Sequence, residues 1–522
     1  MIKKLKKEKV FYVSIISLLF LLLLAFFNID AFAKSTKNIL NFLLDRFSWF
    51  YILVMLSFFI FCMWAAFSKY GKVKLGKDNE DPEYSLISWF TMLFSAGMGI
   101  GLIFWGVAEP LNHYIHPFNL QGFTEEAKTF AMTKSFLHWG ISAWSCYAIL
   151  ALALTYFQFR KGKPALMSSL LIPLIGEKKA SGWIGNTIDI FTIFATVAGV
   201  ITSLGLGALQ INAGLNYLLN IPENIKVQLI IIILVTICFI ASASSGLNKG
   251  IQTLSNLNML LAAVLLIFVI LTGPSLEMNK NLFKGLGVYA KELLIDNNNI
   301  FVTGDWYKKW TIFYWGWWIA WAPPVGIFIA RISKGRTIKE FLLGVLFVPS
   351  IICFIWFAVF GTMGFNVSHT VALTAIKRSE TAFFVVMNEY NFGYIISLIA
   401  IMLLGTFFVT SADSATFVLG MLSSNGDLNP KTSKKFIWGV LQASLTIVFL
   451  LAGGLDMIQT VSIIAAFPFA FIMIIAMISL RKSLKNESLE IPSLSNNKKI
   501  EKVIIINILR EDSLILVSSL NI

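Results

Sequence analysis

The sequence predicts an all-α membrane protein with about twelve transmembrane helices, and three observations predict it. Of its 522 residues 57% are hydrophobic and only 13% charged, where a soluble domain carries about 25% charged residues. The apolar residues fall in long unbroken runs, and a helix needs about 20 of them to cross a bilayer. The basic residues fall in short clusters between the runs, as in the loops on one side of a membrane. No single water-soluble core buries so much apolar surface, which excludes a soluble enzyme. The net charge of +14 then reports topology and not affinity for nucleic acid.

The expected spans are 10–29, 49–68, 86–109, 131–158, 188–216, 227–244, 254–272, 307–331, 341–364, 394–422, 436–452 and 459–480. The N-terminal MIKKLKKEK and the clusters at 69–77, 160–163, 249, 331–339, 431–435 and 481–485 then fall on one side. By the positive-inside rule that side is the cytoplasm, with both termini in it. The apolar stretch at 10–27 is long for a signal peptide and reads as a retained first helix. Between spans seven and eight, Leu282, Phe283, Leu286, Tyr289, Leu293 and Leu294 recur at helical spacing with Lys284, Lys291 and Glu292 among them. That is an interfacial helix within 275–300, and 370–390 reads as another. Cys62, Cys146, Cys238 and Cys353 all lie in apolar runs and read as buried filler, with neither disulfide nor metal spacing.

The resulting organisation is a basic cytoplasmic N-terminus (1–9), two N-terminal spans (10–85) and a first group of five spans (86–272). An extracytoplasmic interfacial helix and linker (273–306), a second group of five spans (307–480) and a cytoplasmic tail (481–522) follow.

Two spans carry clustered helix breakers. The third contains Gly97, Gly99 and Gly101 around Met98, and each glycine weakens a helix by about 1 kcal/mol relative to alanine. The eighth contains Gly316, Pro323, Pro324 and Gly326, and adjacent prolines remove two helix donors. Each break opens a group of five spans, the pointer to a midplane site between inverted repeats.

The same regions are rich in tryptophan. Trp49, Trp183 and Trp306 fit interfacial anchoring. Trp139, Trp144 and Tyr147 lie inside the fourth span, and Trp315, Trp317, Trp318 and Trp321 crowd the eighth. A box of such rings suits a trimethylammonium group, each ring contributing about 0.5–2 kcal/mol when desolvated. A carboxylate on the same ligand is met by N–H groups of the unwound 97–101 backbone, so a zwitterion fits.

The chain resembles the betaine/carnitine/choline transporter family over about residues 10 to 485. The resemblance lies in SAGMGIGLIFWGVAEP (95–110), HWGISAW (138–144), SLGLGALQ (203–210), FYWGWWIAWAPPVGIFIARISKGRT (313–337) and TSADSA (410–415). It implies a LeuT-like fold of two extra N-terminal helices followed by two inverted five-helix repeats. It also implies a homotrimer in the bacterial plasma membrane that takes up glycine betaine as an osmoprotectant by sodium symport and alternating access. It implies a substrate box of Trp139, Trp144, Tyr147, Trp317, Trp318 and Trp321, Trp318 nearest the ammonium, facing Gly97, Met98, Gly99 and Gly101. Sodium, the coupling ion, would be held by Ser95, Met98, Phe407, Thr410 and Ser411. A second sodium site of some members keeps only Thr196 here, with Val200 and Pro324 where its other ligands would stand. Members for choline or carnitine are the alternative within the family, and a channel the alternative outside it.

Among ionisable residues in spans, Asp413 stands beside the expected sodium ligands, and Glu109, at the end of the third span, reads as a solvated mouth residue. His138 reads as a packing or hydrogen-bonding residue. His113, His116, His138 and His369 show no metal-ligand spacing, and no cofactor or enzymatic constellation is expected.

Overall fold

A helix that is apolar all round belongs in the middle of a bundle or against lipid, and burial decides which. The structure, a computed structural model, describes residues 8–97, 99–245, 248–295 and 304–490. Its helices are α1 (Lys9–Phe27), α2 (Ile29–Phe67), α3 (Leu86–Gly97), α4 (Ile100–Ile115), α5 (Glu125–Trp139) and α6 (Ile141–Thr155). They continue as α7 (Trp183–Leu219), α8 (Ile225–Ser245), α9 (Asn248–Thr272), α10 (Ser275–Ile295) and α11 (Thr311–Ile332). The last three long ones are α12 (Ile338–Phe365), α13 (Gly393–Leu422) and α14 (Thr432–Glu490). Among the described residues ten helices are long and apolar enough to cross a membrane, and β pairing is one bridge between Lys74 and Thr337.

Helices α5, α6 and α11 are interior, packed against α7, α12 and α14. Helices α8 and α9 are peripheral and turn Ile230, Ile233, Leu234, Ile237, Leu260 and Leu271 outward. An apolar outer face of this kind is stable against acyl chains. Cys238 belongs to it and is exposed, contrary to the expected burial, while Cys62, Cys146 and Cys353 are buried.

Four elements differ from the sequence reading. Helix α2 begins at Ile29, capped by the Asn28 side chain, which accepts from the Ala31 amide at 3.1 Å. Its first half carries charges, so a hydropathy window misses it, but Leu40, Leu43, Leu44 and Phe47 pack inward at helical spacing. The fourth span is two helices, broken at Gly140 (φ −96°, ψ −147°). There the freed Ile141 amide donates to the Tyr289 hydroxyl of α10 at 3.1 Å. The eighth span, expected to break at Pro323 and Pro324, is one continuous helix. Pro324 cannot donate to the Ala320 carbonyl, and that carbonyl lies against Gly199 of α7, where a Cβ would come within 3.0 Å of it. Surrounding protein holds the turn that the prolines weaken. Helix α14 is two helices that meet at a kink at Gly453 and Gly454, the latter at φ +57°, between the two expected spans. It then continues beyond 480 into the expected tail. The residues after 490, with the rest of that tail, lie outside the described residues.

The segment at 275–300 forms α10 as far as Ile295, and 370–390 forms two short helices, His369–Ile376 and Ala382–Met387. The basic loops meet at one end of the molecule. Arg160 donates to the carbonyls of Lys74 (3.2 Å) and Gly76 (2.9 Å) and to Asp78 (2.8 Å), and pairs with Glu487 of α14. Lys334 sits 2.7 Å from Glu80 and by that hydrogen bond holds the Glu80 carboxyl below its usual range. Lys434 pairs with Glu8 at 3.5 Å. Loops that the charge pattern puts on one side therefore share one end.

Burial pushes the Tyr289 phenol above its ordinary value, so its hydroxyl is neutral and accepts from the Ile141 amide. The substitution Tyr289→Phe leaves that amide unpaired, which costs about 1–3 kcal/mol. A lowered unfolding temperature of the detergent-solubilised protein is the expected readout.

Candidate functional site

The glycines of the third span do what their composition suggests. Helix α3 ends at Gly97, Gly99 is extended (φ −151°, ψ −163°), and α4 starts at Ile100. The first bond after the break is from the Leu102 amide to the Gly99 carbonyl, 3.1 Å. Met98 and the side chain of Ser95 lie outside the described residues.

A cavity opens beside this break. Gly99, Ile100 and Gly101 form one wall, and Trp139, Tyr147, Trp317, Trp318 and Trp321 form another, completed by Ser203, Val325 and Ser411. Trp318 is the centre of the aromatic wall. Its ring centroid lies 5.7 Å from Trp139, 4.7 Å from Tyr147 and 5.8 Å from Trp144. Trp139 also meets Trp317 at 5.9 Å and 87°. These are edge-to-face and tilted contacts, the favourable arrangement for rings with a negative face and positive edge. Trp144 is fully buried and stands behind Trp318 and Tyr147 without lining the cavity. Thus five of the six expected box residues reach the cavity and the sixth supports them.

Gly101 is needed for space. A Cβ there would fall 2.4 Å from the Trp317 ring and 2.9 Å from the Trp139 ring, so only glycine lets the α4 backbone approach both. The Trp317 and Trp318 indole N–H groups are buried and have no partner among the described residues. They are donors on two of the rings that line the cavity. Trp321 instead donates to Ser203 of α7 at 3.0 Å.

The expected sodium ligands divide. Ser411 lines the cavity, and its hydroxyl is 3.7 Å from the Cβ position of Gly99, so the third span does meet α13. Thr410 faces away. Its hydroxyl bonds the Thr406 (3.1 Å) and Phe407 (3.2 Å) carbonyls and accepts from Asn258 of α9 at 2.9 Å. The Phe407 side chain is buried in the core. Asp413 is turned toward α8, accepting from Ser242 at 2.6 Å. Thr196 bonds the Thr192 carbonyl at 2.8 Å, and Val200 is buried beside it.

Glu109 is not at a solvated mouth. It is fully buried, because α4 runs on to Ile115 and carries Pro110 within it. Its Oε2 accepts from the Trp139 indole (2.8 Å) and the Tyr314 hydroxyl (2.5 Å). Its Oε1 faces His138 Nδ1 at 2.7 Å and His113 Nε2 at 3.3 Å. The His138 Nε2 meets the Thr311 hydroxyl at 3.0 Å, which fits the hydrogen-bonding reading of His138. Trp306, expected as an anchor, packs 4.8 Å from His113. Glu109, His113 and His138 converge within 4.8 Å although no spacing in the sequence announces it. An acid inside a span is the signal that finds such a cluster, and here the expected helix end concealed it.

A ring-lined cavity at a broken helix, enclosed by helices of membrane-spanning character, defines a transport protein for a small solute. The chain belongs to the betaine/carnitine/choline family of transporters, whose sequence model matches residues 9–489. It is 47% identical to the glycine betaine transporter OpuD of Bacillus subtilis, over 91% of this chain and 92% of that one. It is 41% identical to the ectoine/hydroxyectoine transporter of Virgibacillus pantothenticus, over 91% and 96%. It is 36% identical to the osmo-dependent choline transporter BetT2 of Acinetobacter baylyi, over 94% of this chain and 73% of that one.

The substitution Gly101→Ala displaces a ring of the cage. Loss of one ring contact of about 0.5–2 kcal/mol corresponds to a roughly 2- to 30-fold weaker Kd for a quaternary-ammonium ligand. Titration of intrinsic tryptophan fluorescence in the purified variant measures it.

Proposed function

We propose that this chain imports glycine betaine by sodium symport, alternating access to the cavity between its two sides. The observation that carries the reading is that Trp139, Tyr147, Trp317 and Trp318 line one cavity together with the Gly99–Gly101 backbone. Ring faces attract the trimethylammonium group, while the unpartnered indole N–H groups and the start of α4 suit its carboxylate. The relative named as a glycine betaine transporter supports this substrate above choline, carnitine or ectoine.

In this reading α3 with α4 and α5 with α6 each form one interrupted span, α10 lies at the interface and α14 forms two spans, which makes twelve. Two precede the repeats, and residues 86–272 and 307–480 form the inverted five-span halves. Their support is the equal number of spans in each half, since the break in the third span has no counterpart in the continuous α11. The end where the basic loops gather faces the cytoplasm of a bacterial plasma membrane, with both termini there. Assembly as a homotrimer is part of the same reading.

Sodium would enter between the broken span and α13, at Ser95, Met98, Phe407, Thr410 and Ser411. Of these, Ser411 is the described side chain at the cavity. Thr410 would have to turn from Asn258 toward Ser411 when the ion binds, and a Thr196 site is weakened by its bond within α7. One sodium moving inward gains about 2.3 kcal/mol per 100 mV, and a tenfold gradient adds about 1.4 kcal/mol. Together they sustain between two and three decades of accumulation, enough for an osmoprotectant.

In proteoliposomes, labelled glycine betaine is expected to accumulate only with an inward sodium gradient, and choline, carnitine and ectoine compete more weakly. Uptake equally fast with potassium in place of sodium removes the coupling, and stronger competition by choline reassigns the substrate. The variant Ser411→Ala is expected to raise the sodium concentration for half-maximal uptake about tenfold while leaving substrate binding at saturating sodium near wild type.

A further inference from the structure

A carboxylate buried completely inside a membrane protein is expensive unless its acceptor sites are filled. Glu109 fills them from three helices. It belongs to α4, its His113 neighbour is one turn on, His138 and Trp139 come from α5, and Tyr314 comes from α11. An ionised carboxylate offers about four acceptor positions, and four donor groups meet it here. The Trp139 indole has only a hydrogen to give. The Thr311 hydroxyl meets His138 Nε2 at 3.0 Å, so the acceptor positions of a charged carboxylate are filled, while His113 Nδ1 is buried with no partner among the described residues.

Trp139 is also a wall of the cavity and meets Trp317 and Trp318. The carboxylate thus stands one indole ring behind the proposed ligand, in a medium where its field is weakly screened. We propose that Glu109 is a positioning and specificity-determining residue. It fixes the Trp139 ring through the indole N–H, and its negative charge biases the aromatic box toward the cationic end of the ligand. This rests on the reading of the cavity as a quaternary-ammonium site.

The bias acts differently on two ligands that share the trimethylammonium group. Choline carries a net positive charge and gains the whole attraction. Glycine betaine carries a carboxylate as well, whose repulsion offsets part of it. Removal of the charge therefore changes the ratio of the two affinities, which a purely structural loss would not do.

The test is titration of choline and of glycine betaine against the purified full-length protein, read by intrinsic tryptophan fluorescence at one pH and saturating sodium. In Glu109→Gln the amide oxygen still accepts from the Trp139 indole, so the ring keeps its place. Choline is expected to bind about tenfold more weakly and glycine betaine by less than half of that loss on a logarithmic scale. In Tyr314→Phe the charge stays and loses one donor, so the choline-to-betaine Kd ratio is expected to move the opposite way, about twofold. This second variant removes one hydroxyl outside the cavity lining and gives an answer even where Glu109→Gln does not fold. Equal losses for both ligands, or a ratio unmoved in Tyr314→Phe, overturn the proposal. Wild-type protein that binds neither ligand overturns the reading of the cavity itself, and this inference with it.

Discussion

Unpaired backbone has nowhere to go in a bilayer. Water is absent from the hydrocarbon, and each unsatisfied N–H or C=O costs several kcal/mol there. A helix interrupted at Gly99 therefore persists only where protein encloses it, and the rest of the architecture follows. Beyond the break α4 is buried, with α5 and α12 packed along it, and the helices with outward Ile and Leu rows take the lipid boundary. The same constraint explains the second break. Gly140 leaves the Ile141 amide free, and a hydroxyl from α10 reaches in to accept it.

Within that enclosure rings are the economical lining. Tryptophan fills much volume with two side-chain torsions, so its orientation is fixed by few contacts, and Trp318 has three ring neighbours that fix it. The glycines opposite supply the space. Gly101 admits the Trp139 and Trp317 edges, and Gly199 admits the Ala320 carbonyl that Pro324 leaves unbonded. One face of α11 thus carries the cage while its weakened turn is held from the side by α7.

The all-helical membrane class, most of the spans and the rings that line the cavity were legible in the sequence, because each is a property of one helix: an apolar run, a cluster of glycines, rings a few residues apart. Properties that belong to contacts between helices were not. Pro323 and Pro324 look like a break until Gly199 is seen against the carbonyl of Ala320. Gly140 looks ordinary until Tyr289 is seen beside Ile141. Glu109 looks peripheral when the third span is taken to end at 109, whereas α4 keeps Pro110 inside it and remains helical to Ile115. Thr410 and Ser411 are adjacent in sequence and so point about 100° apart on a helix. A motif naming both cannot say which faces the cavity in a given state.

The strength of the contacts around the cavity bears on the proposed cycle. Helices α4, α5 and α11 share the Glu109 carboxylate through charge-assisted hydrogen bonds, each contributing about 1.5–3 kcal/mol. A movement that separates these three would expose a charge in a dry interior, so they travel together. Helix α13 meets the same α4 differently. Gly99 lies against Ser411 without a bond, and Ile100 and Phe408 pack on either side of Gly207, contacts that slide without unpairing a polar group. The seam between α4 and α13 is therefore the one that separates at least cost. An ion coordinated across it would close it, which gives sodium a mechanical part in the proposed cycle. Binding the cation would join α4 to α13 across this seam.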